Sequence, residues 1–126
     1  MDINSEKYIA HADDSLETAK ILLRADKYIG CVNRSYYAMF YCAQAMLSAL
    51  RMFPRTHQGT ATKFSEHFIK TEAIDKKFGT FFKSAFEKRQ LGDYDMDSNI
   101  TQEEAQEILN NANAFVEMAR NYFNKP

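Results

Sequence analysis

The chain has 126 residues, 45% of them apolar and 26% charged, with a formal net charge of −1. That is one ordinary domain with enough apolar material for a core, and its near-balance of charge exerts no global pull on nucleic acid. Two valines against fifteen alanines, with four glycines and two prolines, exclude a sandwich or barrel and point to long helices. No apolar run is long enough to span a membrane, and the acidic, polar start MDINSEKYIA is unlike a secretory signal.

Five helices are predicted. The first runs from about Ser5 to Arg24, with Tyr8, Ala12, Leu16, Ala19 and Leu23 at helical spacing. Asp26 is placed to cap a second helix from about Lys27 to Arg51. That helix is apolar nearly all round, so it must be covered all round, by its own chain or partly by a second copy. Pro54 ends its reach, and Thr56 is placed to cap a short third helix holding Ala61, Phe64, Phe68 and Ile69. A fourth spans about Asp75 to Leu91, and Gly92 reads as the C′ glycine that closes it. The acidic loop DYDMDSN follows. Thr101 and Glu104 then form a capping box ahead of a fifth helix carrying Ala105, Ile108, Leu109, Ala112, Phe115, Val116, Ala119, Tyr122 and Phe123. The expected fold is all-α: residues 1–126 as a single antiparallel up-and-down bundle of four to five helices, dimeric if the second helix is covered by a copy of itself.

Cys31 and Cys42 lie eleven residues apart on the second helix, roughly 16 Å along its axis, too far for a bridge within it. They read as small buried hydrophobes of a reducing cytoplasm. Charge is locally uneven. Residues 70–89 carry Lys70, Lys76, Lys77, Lys83, Lys88 and Arg89 against Glu72, Asp75 and Glu87, whereas residues 93–107 carry only acids. The two stretches meet at Arg89 and Asp93, where an ion pair is expected.

Candidates for chemistry are few. Asp93, Asp95, Asp97, Asn99, Ile100, Thr101 and Glu104 follow the spacing of a calcium loop. Ser98 stands where the turn glycine belongs, no second loop exists, and Glu104 is claimed by the capping box, so no metal is expected and calcium is retained as a second alternative. His11, His57 and His67 are dispersed, without zinc spacing. His57 opens a helix, where an imidazole can meet a backbone group or a phosphate. Arg34 begins the most apolar helix, so it must be paired or line a cleft.

The run RSYYAMFYCAQAML, the THQGT stretch, the RQLGDYD segment and the ITQEEAQEILNNANAFV helix occur in this order. From about Tyr8 to Phe123 the chain resembles the HEPN-domain proteins of a small prokaryotic branch. The resemblance implies a dimeric helical bundle. It also implies a component of a toxin–antitoxin pair, often beside a minimal nucleotidyltransferase. Many HEPN domains are metal-independent ribonucleases using an arginine, four to six residues, then a histidine, with two copies meeting across the dimer cleft. The arginine would hold phosphate and the histidine shuttle a proton. Here the matching arginine is Arg89, and Tyr94 stands five residues on, where histidine is expected. A tyrosine of ordinary pKa near 10 is a poor base at pH 7, and Asp93 beside Arg89 is a weak one. A literal match of Arg51 to His57 straddles Pro54 and reads as coincidence.

The expected function is thus a cofactor-free binding module in a homodimer, for RNA, a nucleotide or a nucleotidyltransferase partner. Asn33, Arg34, Tyr37 and His57 would line the cleft with Arg89, Asp93 and Tyr94. The alternative is an RNA endonuclease in which Arg89 acts with Tyr94, Asp93 or His57.

Overall fold

A computed structural model describes residues 1–97 and 99–125. Five α-helices follow one another: α1 (Ile3–Arg24), α2 (Tyr28–Ala49), α3 (His57–Phe64), α4 (Lys77–Tyr94) and α5 (Gln102–Asn124). A single π-helical turn, Ser65–Ile69, continues directly from α3. Ser98 lies outside the described residues.

Side-chain contacts give the direction of each helix. Ser5, at the start of α1, donates to the carbonyl of Ala45 near the end of α2 and meets Ser48 Oγ at 3.0 Å. These two helices are therefore antiparallel. Tyr37 pairs with Arg89 and Asn33 with Asp93, so α4 also opposes α2. Lys88 meets Glu104 while Phe82 and Phe78 meet Phe115, so α5 opposes α4. The order is up, down, up, down, with α2 and α5 meeting across the middle of the bundle.

The helix ends obey local chemistry. Asp2 caps α1 by accepting from Ser5 N–H at 2.7 Å. Thr56 caps α3 through Gly59 N–H, and the Thr101–Glu104 capping box opens α5 with both of its hydrogen bonds made.

Two joints differ from expectation. Asp26 does not cap α2. It takes a left-handed conformation, φ 61°, in the tight α1–α2 turn, and Lys27 stands at the cap with no side-chain hydrogen bond. Aspartate tolerates that conformation better than most side chains, so it turns the chain instead. Gly92 does not end α4, which continues to Tyr94, and no described glycine has a positive φ. Its small size is used for close approach: a Cβ there would lie 2.9 Å from Ile100 Cδ1 and 3.2 Å from Ile29 Cγ2.

The chain itself covers most of α2. Cys31, Val32, Tyr36, Met39, Met46 and Leu47 are fully buried against α1, α3, α4 and α5. Covering this helix does not need a second copy. Both cysteines are free and buried, and burial pushes both thiols up in pKa. No helix is long and apolar enough to cross a membrane among the described residues.

Candidate functional site

One end of α2, the start of α3 and the last turns of α4 converge on Arg89. The residue is buried, only 6% exposed. Burying a cation is costly unless it is well partnered, and here the partners are mostly aromatic faces. The guanidinium carbon lies 5.1 Å from the Tyr36 ring centroid, 5.6 Å from Tyr37, 5.8 Å from Phe86 and 6.0 Å from Tyr94. Such faces attract cations without supplying acceptors. Nη1 reaches Tyr37 Oη at 3.4 Å. Nε lies 3.4 Å from Asp93 Oδ2, one helical turn on, but the alignment makes no hydrogen bond and Nε is buried without one. The expected ion pair exists, then, as a loose one.

Asp93 is shared. Its Oδ2 also accepts from Asn33 Nδ2 at 3.0 Å. Asn33 in turn accepts both Nε and Nη2 of Arg34 on its side-chain oxygen, at 3.0 and 2.9 Å. Arg34 lies 4.7 Å over the Tyr37 ring and has no carboxylate within 4.0 Å among the described residues. Two guanidiniums therefore flank one tyrosine with one carboxylate between them. Tyr94 is 73% exposed, the most open of the rings around Arg89.

His57 enters the same site from α3. Its Nδ1 is 2.8 Å from Tyr36 Oη, and its ring sits 4.6 Å from Phe40 and 5.8 Å from Tyr37. Burial and, secondarily, the Arg89 charge hold its pKa below 6.5, so the imidazole is neutral at pH 7. Burial keeps the Tyr36 hydroxyl protonated. If Nδ1–H donates to the Tyr36 oxygen, the Nε2 lone pair is left free to accept a proton. His57 and Tyr36 also line the inner end of a groove of about 880 Å³ between α3, the π-turn and the first half of α4.

The structure thus gathers Asn33, Arg34, Tyr37, His57, Arg89, Asp93 and Tyr94 at one end of the bundle. The histidine brought to Arg89 is His57, from the other side of the cleft. Arg51, its apparent motif partner, lies exposed in the turn after α2 with φ 63°. Tyr36, which joins His57 to the Arg89 pocket, was not among the candidates. Its signal was helical spacing alone: Asn33, Tyr36 or Tyr37, and Phe40 fall on one face of α2.

The proposed calcium ligands do not converge. Asp93 is turned to Asn33 and Arg89, and Glu104 to Lys88 and Thr101. The Lys88 and Thr101 bonds hold the Glu104 carboxyl well below its ordinary pKa, at about 2. Among the described residues no three acidic, histidine or cysteine side chains form a metal-holding group.

The model of the HEPN domain matches residues 5–122. The chain belongs to the HEPN family. It is 35% identical over 117 residues to a Methanocaldococcus jannaschii protein named "Putative toxin MJ0142", covering 93% of this chain and 80% of that one. A Thermotoga maritima UPF0332 protein is 32% identical over 112 residues, covering 89% and 85% of the two chains. A UPF0332 protein of Archaeoglobus fulgidus is 31% identical over 120 residues, covering 95% of each.

Proposed function

We propose that this HEPN protein is a cytoplasmic component of a toxin–antitoxin-related system and that its cleft binds an RNA or nucleotide phosphate without efficient cleavage. The observation that carries this reading is the unbalanced charge around Tyr37. Arg34 and Arg89 both approach its ring, and Asp93 is the one carboxylate within 4.0 Å of either among the described residues. An anion entering there would complete the pairing of a partly desolvated cation, where electrostatics are strongest. The names of the relatives support the toxin–antitoxin context. The same reading includes a homodimer with two clefts face to face, and a small nucleotidyltransferase as protein partner.

His57 favours a second reading, RNA cleavage. A neutral imidazole and a guanidinium that share the Tyr36 and Tyr37 rings are the two groups needed to accept a 2′-hydroxyl proton while negative charge grows on the phosphate oxygens. What disfavours it is the lack of a second proton-transfer group of suitable pKa. Tyr36 is buried and protonated, and Asp93 is committed to Asn33 and Arg89.

Purified protein incubated with tRNA and total RNA in EDTA separates the two. Retention of RNA with no new fragments supports the binding module. Fragments that vanish in both Arg89→Met and His57→Gln establish the second reading. Protein that neither retains nor cuts RNA refutes both.

A further inference from the structure

The groove beyond His57, of about 880 Å³, has no role in the cleft chemistry. Phe81, Phe82 and Phe86 of α4 face Ala61, Phe64 and Ile69 across it. Such a floor is apolar and ring-rich. Its rim is the opposite: Lys70, Lys76, Lys77 and Lys83 line it against the single carboxylate of Asp75. Among the described residues none of these four lysines has a carboxylate within 4.0 Å. Asp75 is occupied in accepting the Lys77 backbone N–H at 2.8 Å. The near-zero net charge of the chain hides this local excess of unpaired cations over aromatic rings.

We infer that this groove is a subsite for single-stranded RNA, its aromatic floor taking an unpaired base and its lysine rim the flanking phosphates. The inference rests on the reading of the cleft as a phosphate site and gives the strand a direction. Tyr36, His57 and Phe86 belong to both, so a strand held at Arg89 passes into the groove without leaving the protein surface. From Phe86 to Lys77 the α4 axis rises about 13 Å, room for a short stretch of strand. A duplex hides its base faces and cannot use such a floor. An unpaired base presents a face to any ring, and lysines track the backbone. An apolar protein segment would fill the floor and leave the four cations unanswered.

The test is fluorescence anisotropy with a labelled, unstructured RNA decamer across a salt series. Lys76→Gln/Lys77→Gln/Lys83→Gln is compared with Lys7→Gln/Lys20→Gln/Lys27→Gln, which removes equal charge elsewhere. The groove variant is expected to bind at least about tenfold more weakly and to flatten the logarithmic salt slope by about 2. The control triple is expected to change affinity by less than about twofold. Phe81→Leu, which keeps bulk and removes the ring, is expected to lose about fivefold. Equal losses in the two triple variants would overturn the subsite, since only non-specific charge would be at work. So would RNA binding that Arg89→Met abolishes and the groove variant leaves intact. In that case the cleft reading survives its extension. Binding of AMP or UMP as tight as that of the decamer, lost in the groove variant, would also overturn it in favour of free nucleotide. Failure of the wild type to bind the decamer overturns subsite and cleft together.

Discussion

Arg89→Met decides whether Arg89 is a structural ion pair or a ligand-binding cation. Removing one partner from a tight buried pair costs about 3–5 kcal/mol, because the other charge is stranded. Arg89 is not in that position. Its carboxylate neighbour is 3.4 Å away without a hydrogen bond, keeps 25% of its side-chain surface in solvent and retains Asn33. Four aromatic faces would lose a cation, worth about 1–2 kcal/mol in all. A methionine sulfur in the same cage regains about 0.3–1.5 kcal/mol, and the desolvation cost of the guanidinium disappears. The terms nearly cancel, so Arg89→Met is expected to lie within about 1 kcal/mol of wild type, on either side. Urea unfolding followed by far-ultraviolet circular dichroism reads this directly. At a slope near 1.5 kcal/mol/M the midpoint should move by less than about 0.7 M. A fall of about 2 M or more would show that the arginine holds the fold together, and would refute the argument that its charge is kept for a ligand.

Four further outcomes are expected. Phe115→Ala should cost about 3–5 kcal/mol in the same assay, since Phe115 is fully buried and its ring meets Phe64, Phe78 and Phe82 within 6 Å. Thr101→Ala, which breaks the capping box at α5, should cost about 0.5–2 kcal/mol. The imidazole of His57, followed by proton NMR, should titrate below pH 6.5 and move upward in Arg89→Met. Because its folded pKa is depressed, the stability it contributes is complete above pH 6.5. That stability is lost as pH falls from 6.5 toward the folded value, so His57→Gln should flatten the acid-side decline. Calcium at millimolar concentration should leave the unfolding temperature unchanged; a rise that EDTA reverses would show that residues 93–104 bind it after all.

Interactions within one or two turns were legible in the sequence. The Thr101–Glu104 box, the Thr56 cap and the Arg89–Asp93 pair all join residues three or four apart, where helix geometry alone brings side chains together. The stripe on α5 was legible because one polar face in water leaves a clean period. Residues with two possible uses were misread. Gly92 follows a helical pattern, as a closing glycine does, but its smallness serves Ile100, eight residues on across the loop, and Ile29, which comes from a distant part of the chain. Asp26 looks like a cap and instead bends the backbone. The π-turn at Ser65–Ile69 left no periodic trace. The site was legible in part. Arg89, Asp93 and Tyr94 sit together in sequence, whereas Tyr36 and His57 reach them only through the packing of α2, α3 and α4. Spacing rules favoured a histidine five residues beyond an arginine. The fold supplies one from across the cleft.

The most direct test of the account compares the binding of a labelled RNA decamer, in EDTA at low salt, by wild type and by Arg89→Met of matched stability. A phosphate held by Arg89 predicts measurable affinity in the wild type, weakened at least about tenfold in the variant, as loss of a charge-assisted contact requires. Equal binding by the two proteins would contradict it.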